Sequence, residues 1–388
     1  MNYRTALRAS APLLTAVPIF GLATGALFPI VALRLQELGG DPAFIGLATT
    51  LYYSGSFLAA LLFGGVLKLV GHRAGFAISA LFAAAASFAL TLTNNEVAWL
   101  ALRFIGGFSL GAYYVVVDGW FQALADRRSR GKLFATYETV RLAATAGGPF
   151  LLVVGATTSS LWLVSLAYIL SVAPALFAQL PDQRTSKAYR FQGLAGTFLC
   201  FPAALIIVAC GGAANATFYG LSAIYASAIG LTTSEIAIFV AIVLVAPSIT
   251  QIPLGALADR YTRMQVATGC AVAAILACTL LILWENPTLW MVCAAGVLVG
   301  GAMVPMYAFG LSRIVDHTES AEVVQATSAG LLAYNGGAFA GPVLAGSTMM
   351  LLGPSGLYAF LLAIAAIALV ASFSDTRFSR CCQETSLA

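Results

Sequence analysis

Long apolar segments recur along the chain and are separated by short polar stretches. We find twelve of them, each of roughly 20 residues or more, which is long enough to cross a hydrocarbon core of about 30 Å as a helix. They fall near residues 11–33, 43–67, 74–93, 97–124, 134–156 and 160–180, and then near 194–227, 233–257, 264–284, 288–312, 322–350 and 355–373. The pattern predicts an all-α membrane protein with twelve transmembrane helices.

The polar stretch "LPDQRTSKAYRFQ" divides these segments into two sets of six. We therefore expect an N-terminal six-helix bundle over 1–182, a linker over 183–193, and a C-terminal six-helix bundle with a short tail over 194–388. The fifth and eleventh segments both contain a Gly-Pro pair, at Gly148-Pro149 and Gly341-Pro342, and we expect both pairs to bend their helices. Two pseudo-symmetric parallel halves are typical of secondary transporters.

The basic residues predict the orientation of the chain in the membrane. Arg34, Arg103 and Arg141 fall at or inside helices, and all the other Lys and Arg residues fall in alternate loops and the two tails. The opposite loops carry only the acids Glu37, Asp41, Glu96, Glu235 and Glu285. Positively charged loops stay in the cytoplasm, so both termini are predicted to be cytoplasmic.

Composition excludes several classes of protein. The 388 residues are 60% hydrophobic and only 9% charged, and their mean hydropathy is +0.92, too apolar for a soluble protein. The net charge of +4 is scattered over short loops, which argues against nucleic-acid binding. The seven cysteines follow neither a zinc nor a disulfide spacing, and the chain has no phosphate-binding loop that would let ATP drive transport directly.

The sequence also lacks a nucleophile–base constellation. Its two histidines, His72 and His317, fall in predicted cytoplasmic loops and are interpreted as solvated. We expect no enzyme activity, no cofactor and no metal.

Four ionisable residues lie inside the predicted fourth and fifth helices. A charge at the centre of a membrane costs about 2.5–3.5 kcal/mol, so such residues mark a pathway or a buried partner. Arg103 belongs to the outer half of the fourth helix and Asp118 to its inner half, about 22 Å away. Glu138 and Arg141 share a face of the fifth helix, at about the depth of Asp118. The spacing predicts an Asp118–Arg141–Glu138 cluster.

Two interpretations of this cluster stay open. In the first, Asp118 or Glu138 exchanges a proton as the cavity alternates between wet and dry states, because water stabilises the charged form. In the second, the charges form a latch at the cytoplasmic side or snorkel to the membrane interface, holding the conformation without binding anything.

The loop after the eighth segment has Gly255, Asp259, Arg260 and Arg263, while the loop after the second has Gly64, Gly71 and Arg73, with Lys68 in place of the acid. These residues resemble a signature of the major facilitator superfamily, and the resemblance extends over the whole chain. "LALRFIGGFSLGA" around Arg103 is similar to a further signature of that family. The Lys-for-Asp exchange, "VVVD" ending at Asp118, and "MVPMYAFGLSRIVDH" resemble its YcaD-like branch.

The resemblance implies a gate and a direction of transport. By pseudo-symmetry, Asp259 is expected to face the start of the fifth helix, with Arg260 and Arg263 near the inner rim, so that the C-terminal copy latches the inner gate. Lys68 and Arg73 stand at the equivalent place in the first half. Gly148-Pro149 resembles part of an antiporter signature, which favours export.

Aromatic and amide residues are candidates for lining a cavity, with packing as the alternative for each: Tyr52, Tyr53, Tyr114, Asn215, Tyr219, Tyr225, Tyr307, Tyr334 and Asn335. The run "CGGAANATFYG" predicts a broken seventh helix, a common feature of binding sites in transporters. A cavity of this kind suits an amphipathic organic cargo.

We expect a monomeric secondary transporter in a bacterial-type inner membrane, working by alternating access and coupled to protons. Export of a small amphipathic molecule is the first interpretation. Uptake of a metabolite is the alternative, and a non-transporting membrane receptor or assembly factor is the alternative from a different class.

Overall fold

The structure is a computed structural model that describes residue 7 and residues 10–124, 130–178, 194–284, 287–318 and 323–385. The predicted linker 183–193 lies outside this part, as do Arg4, Arg8, Arg127, Arg128, Arg184, Lys187, Arg190 and Glu285. The α-helices, labelled in chain order, are α1 Ala11–Glu37, α2 Pro42–Ala89, α3 Glu96–Leu124, α4 Arg130–Gly147, α5 Thr157–Leu176, α6 Leu194–Cys200, α7 Pro202–Ala228, α8 Thr233–Ala258, α9 Arg263–Leu283, α10 Leu289–Met303, α11 Met306–Val315, α12 Val323–Leu352 and α13 Gly356–Thr385. Two 3₁₀ segments, Gly148–Val154 and Gly353–Ser355, follow α4 and α12.

Every regular element in the described residues is therefore a helix. Nine segments of this part are long and apolar enough to span a membrane. Two of them, Pro42–Ala89 and Val323–Ser374, each join two of the segments predicted from the sequence.

Local residue chemistry explains where several helices begin and turn. Asp41 accepts a hydrogen bond from the backbone N–H of Phe44 at 2.7 Å and so caps α2, and Asn95 does the same for Ala98 at 3.0 Å in α3. Within α2, Gly71 has a φ of 75°, which glycine adopts at little cost, and it separates two helical parts.

The chain divides into two compact units. The N-terminal unit comprises Met1–Gly40, Leu47–Ala188 and Thr232–Ala241. Its most buried helix is α1, which packs on α4 and α5. The backbones of α1 and α4 approach so closely that a Cβ atom on Gly25 would lie 1.9 Å from the carbonyl oxygen of Thr145. Small residues allow this contact. Inside a membrane the hydrophobic effect does not drive helices together, so close van der Waals packing of this kind holds them.

The C-terminal unit comprises Asp41–Gly46, Tyr189–Leu231 and Ile242–Ala388. Here α7 is the most buried helix and packs on α12. A Cβ atom on Gly212 would lie 2.1 Å from the carbonyl oxygen of Tyr334, and one on Gly337 would lie 1.9 Å from that of Ala209. The same kind of glycine contact thus joins α1 to α4 in the N-terminal unit and α7 to α12 in the C-terminal unit.

The seventh segment is broken as predicted, but the position predicted for the break, at the run "CGGAANATFYG", is wrong. Residues 202–228 form one continuous helix, and the break lies earlier, at Phe201, directly before Pro202. Gly211 and Gly212 lie inside α7 without interrupting it. Their lack of a side chain lets the backbones at Tyr307 and Tyr334 approach α7 closely.

The two Gly-Pro pairs also differ in structure, although the sequence suggested one shared bend. At Gly148 the α-helix tightens into a 3₁₀ segment that continues to Val154. Pro342, in contrast, lies inside the continuous 30-residue helix α12. Gly148 and Gly341 nevertheless share a packing role, since a Cβ atom on either would meet the backbone of α1 or α7.

Candidate functional site

The antiparallel helices α3 and α4 bring a polar network together inside the N-terminal unit. Tyr137 donates a hydrogen bond from its hydroxyl to Oδ1 of Asp118 at 2.9 Å, and Arg141 donates from Nη1 to the hydroxyl of Tyr114 at 3.1 Å. Tyr114 and Asp118 are four residues apart on α3, and Tyr137 and Arg141 are four residues apart on α4. The two helices run in opposite directions. One helical turn, about 6 Å, therefore separates the two contacts along the helix pair.

Glu138 and Arg141 form the ion pair that their spacing predicts. Oε2 of Glu138 accepts from Nη2 of Arg141 at 2.6 Å and from Nε at 3.0 Å. The Arg141 side chain is only 14% exposed, and its guanidinium lies 5.4 Å from the ring centre of Tyr114. Arg141 is thus neutralised on its own helix.

The predicted three-residue cluster therefore needs one correction. Asp118 accepts from the neutral hydroxyl of Tyr137 and forms no ion pair with Arg141 in the described structure. The reason is the register of the two helices, which places Tyr114, and not Asp118, opposite Arg141. Tyr137 was missed in the sequence because aromatic residues in membrane helices are usually packing residues. It is fully buried here and stacks on Phe121 at 4.5 Å.

Arg103 lies elsewhere in the same unit, in an aromatic environment. It is 2% exposed, and its guanidinium carbon lies 4.2 Å from the ring centre of Tyr52 and 5.3 Å from that of Phe28. Its Nε has no hydrogen-bond partner among the described residues. Cation–π contacts of this kind stabilise a dehydrated guanidinium by about 2 kcal/mol.

The interpretation of His72 as a solvated loop residue is wrong. His72 is 2% exposed, because the turn at Gly71 directs it inward against α3, where its ring lies 5.5 Å from that of Trp120. His317 is exposed as expected and contacts Arg313.

A second polar group lies in the C-terminal unit, at the contact of α7, α11 and α12. Asn215 donates from Nδ2 to the hydroxyl of Tyr334 at 2.8 Å, and the ring of Tyr334 lies 4.9 Å from that of Tyr307. All three are half-buried and were cavity candidates from the sequence. Where the N-terminal half carries Glu138 and Arg141, the repeat places Leu331 and Tyr334 here, so this group is neutral.

The other cavity candidates occupy mixed positions. Tyr52 and Tyr225 are fully buried, with Tyr225 edge-on to Tyr358 at 4.9 Å, as the packing alternative predicts. Asn335 is buried and donates to the carbonyl oxygen of Leu331 at 2.8 Å. Tyr53, Tyr114 and Tyr219 are half-buried.

The predicted gate residues lie at helix ends. Lys68, Arg73, Asp259 and Arg260 are exposed. Arg263 pairs with Asp316 at 3.4 Å within the C-terminal unit. Thr262 caps α9 by accepting a hydrogen bond from the backbone N–H of Gln265, whose side chain accepts one from the backbone N–H of Thr262 in return. The latch role of Asp259 stays a prediction.

Comparisons with known proteins agree with this picture of a multi-pass helical membrane protein. The family model described as Major Facilitator Superfamily matches residues 13–232 and 203–380. Two relatives are 26% identical. One is an uncharacterized MFS-type transporter of Enterobacter sp. (strain 638), aligned over 87% of this chain and 88% of its own length. The other is the uncharacterized MFS-type transporter YcaD of Escherichia coli O6:K15:H31, over 85% and 86%.

Solved structures are similar in fold. The nucleoside transporter NupG superposes with a TM-score of 0.75 at 15% identity, covering 97% of this chain and 99% of that one. A bacterial homologue of the human lysosomal transporter Spinster gives 0.69 at 13% identity, with 98% of each chain covered. At these identities the likeness concerns the fold alone.

Family and fold together define the protein as a secondary transporter rather than an enzyme. The chain belongs to the Major Facilitator Superfamily, and the predicted likeness to its YcaD-like branch is confirmed.

Proposed function

We propose that this protein exports a small amphipathic organic molecule across a bacterial inner membrane in exchange for protons, by alternating access. In this proposal twelve spans form two six-helix halves, 1–182 and 194–388, joined by the linker 183–193, and both termini are cytoplasmic. The protein acts as a monomer and needs no cofactor.

The observation that carries the coupling proposal is the difference between the two carboxylates. Glu138 is neutralised by Arg141 at 2.6 Å, so protonating it would leave a buried cation without its partner. Among the residues that the structure describes, Asp118 has only the neutral hydroxyl of Tyr137 as its hydrogen-bond partner. It can take up a proton without stranding a charge, because a hydroxyl can also accept a hydrogen bond. Asp118 is therefore the better proton carrier.

The neutral group in the C-terminal unit supports an amphipathic cargo. Asn215, Tyr307 and Tyr334 offer two aromatic faces, an amide and hydroxyls, with no fixed charge. Such a surface recognises an apolar ring or chain together with one or two polar atoms. In this proposal Arg103 is the remaining coupling or substrate residue. In the described structure its guanidinium lies against aromatic rings, whereas that of Arg141 is paired with a carboxylate.

The geometry of the Gly-Pro pairs supports the direction of transport. Had both pairs produced the same bend, the motif would be a general feature of the repeat and would say nothing about export. Of the two matching pairs, Gly148-Pro149 alone changes an α-helix into a 3₁₀ segment, and this is the pair that resembles the antiporter signature.

Proton release on binding tests the proposal before any flux is measured. Compounds that raise the thermal stability of the purified protein would be added to it in weakly buffered solution containing a pH indicator. In an antiporter the cargo and the proton compete, so the wild-type protein should release protons and Asp118→Asn should release none. Release of the same size from both proteins would exclude Asp118 as the carrier.

A further inference from the structure

A groove lies on the C-terminal unit, between α8, α9 and α10. Its volume is about 490 Å³, and it runs from Tyr261 and Gln265 at one end to Ala273 and Gly301 at the other. The side chains of Leu257, Tyr261 and Leu298 line it and are 42–59% exposed. Because the protein crosses the membrane, a surface of this kind on the outside of the helices faces lipid.

A proline within α8 and small residues on α9 line the groove and keep it open. Pro253 lies inside α8, and Gly269 and Ala273 on α9 leave space between the helices. A Cβ atom on Gly269 would meet nothing within 4 Å. At the floor of the groove α8 and α10 are in contact. The hydroxyl of Thr250 on α8 donates a hydrogen bond to the carbonyl oxygen of Gly301 on α10 at 2.8 Å.

Apart from the thiol of Cys270, which is only a weak donor, the deep part of the groove offers no free hydrogen-bonding side chain among its lining residues. The hydroxyl of Thr250 is used by the backbone of its own helix and of α10. Gln265, near the mouth, is held by the cap of α9. A ligand that enters here must therefore be a hydrocarbon along most of its length, since an unpaired polar group would cost free energy.

The dimensions of the groove match one leaflet. Gln265 and Ala273 are eight residues apart on α9, which is about 12 Å along a helix. One leaflet contributes about 15 Å of a hydrocarbon core of about 30 Å. The groove therefore runs along an acyl chain from the membrane surface towards the bilayer centre.

An exposed cation adjoins the mouth of the groove along the chain. Arg260 directly precedes Tyr261, is exposed, and forms no ion pair with any residue that the structure describes. Arg263 is paired with Asp316. Asp259 on the same turn keeps the local net charge low, so an anionic group would be recognised through direct contact with the guanidinium and not through a broad positive field.

We propose that this groove is a specific glycerophospholipid site, with one acyl chain between α8, α9 and α10 and the lipid phosphate on Arg260. The orientation predicted from the basic loops places this lipid in the cytoplasmic leaflet. The lipid lies against the turn that carries the predicted gate residues, so its occupancy would bear on how that turn moves. The inference does not depend on the cargo or on proton coupling.

Native mass spectrometry after mild delipidation tests the proposal. The full-length protein would be incubated with phosphatidylglycerol or with diacylglycerol of the same acyl chains. Gly269→Leu places a side chain in the groove from a position where its Cβ atom would meet no atom within 4 Å, and Ala273→Leu does so from one turn further along α9. Gly65→Leu is the matched control, because Gly65 is also an exposed helical glycine with open space around its Cβ position and does not line the groove.

We expect the wild type and Gly65→Leu to retain one phosphatidylglycerol per monomer, and both groove variants to lose it. Arg260→Gln should reduce retention of phosphatidylglycerol to the level of diacylglycerol. Equal retention by Gly269→Leu, Ala273→Leu and Gly65→Leu would overturn the acyl-chain site. A lipid-free dimer that the groove variants dissociate would show instead that a second copy of the chain covers the groove.

Discussion

At the scale of single residues, the account depends on which partner each buried charge has. Asp118 and Arg141 lie in neighbouring helices at similar depth, yet each has its own partner, Tyr137 and Glu138 respectively. The sequence predicted the ion pair, because residues three apart on a helix must be neighbours. It did not predict the Tyr137 contact, since the register between two helices depends on packing along their full length.

The hydrogen bond between Tyr137 and Asp118 can be measured with a double-mutant cycle. Tyr137→Phe keeps the stacking on Phe121 and removes only the hydroxyl. We expect thermal unfolding of Tyr137→Phe, Asp118→Asn and the double variant to give an interaction energy of about 1–2 kcal/mol. As a control, Tyr168→Phe removes another buried hydroxyl, bonded to Thr24, and should show no coupling to Asp118→Asn. Strict additivity of Tyr137→Phe and Asp118→Asn would contradict the contact.

Arg103 and Arg141 should respond oppositely to replacement by methionine. A buried cation costs about 2.5–3.5 kcal/mol, and aromatic rings return about 2 kcal/mol of this. Arg103→Met should therefore raise stability by about 1 kcal/mol, or about 2–4 °C in melting temperature. Arg141→Met should lower it, because Glu138 loses its partner. A fall in melting temperature for Arg103→Met would indicate a stabilising anion that the account omits.

At the scale of elements, the apolar pattern predicted the helices to within a few residues at most ends. The apolar pattern could not reveal the role of each glycine, because a glycine can break a helix, bend it or let a neighbouring helix pack closely. Gly211 and Gly212 were expected to break α7, and in the structure they admit α11 and α12. His72 was misplaced for a similar reason, since a tight turn at Gly71 can bury the next side chain.

Adjacent glycines in the two Gly-Gly pairs provide a test of helix packing. A Cβ atom on Gly148 would lie 2.3 Å from a backbone nitrogen of α1, and one on Gly337 would lie 1.9 Å from a backbone oxygen of α7, whereas Gly147 and Gly336 have open space. Gly148→Ala and Gly337→Ala should be strongly destabilising, since backbone atoms cannot yield without separating the helices.

The controls for this test are Gly147→Ala and Gly336→Ala, which should be neutral or stabilising because alanine favours a helix by about 1 kcal/mol. Melting temperatures in detergent give the comparison. Equal effects within each pair would contradict the helix contacts described here.

At the scale of the whole molecule, membership of the superfamily follows from features that were visible in the sequence. The two loop signatures, the repeat and the alternating basic loops all indicated a transporter, and the family comparison confirms it. The cargo was not predictable. In our proposal it is recognised by a few neutral groups such as Asn215, Tyr307 and Tyr334, whose contact arises only when three helices meet.

Uphill transport in proteoliposomes tests the central claim most directly. A compound identified by thermal stabilisation would be loaded at equal concentration on both sides, and a pH gradient would then be imposed. We predict that the wild-type protein accumulates the compound on the acidic side, as proton exchange requires. Asp118→Asn should lose this accumulation and keep counterflow between equal pH values. Undiminished accumulation by Asp118→Asn, or none by the wild type, would contradict the account.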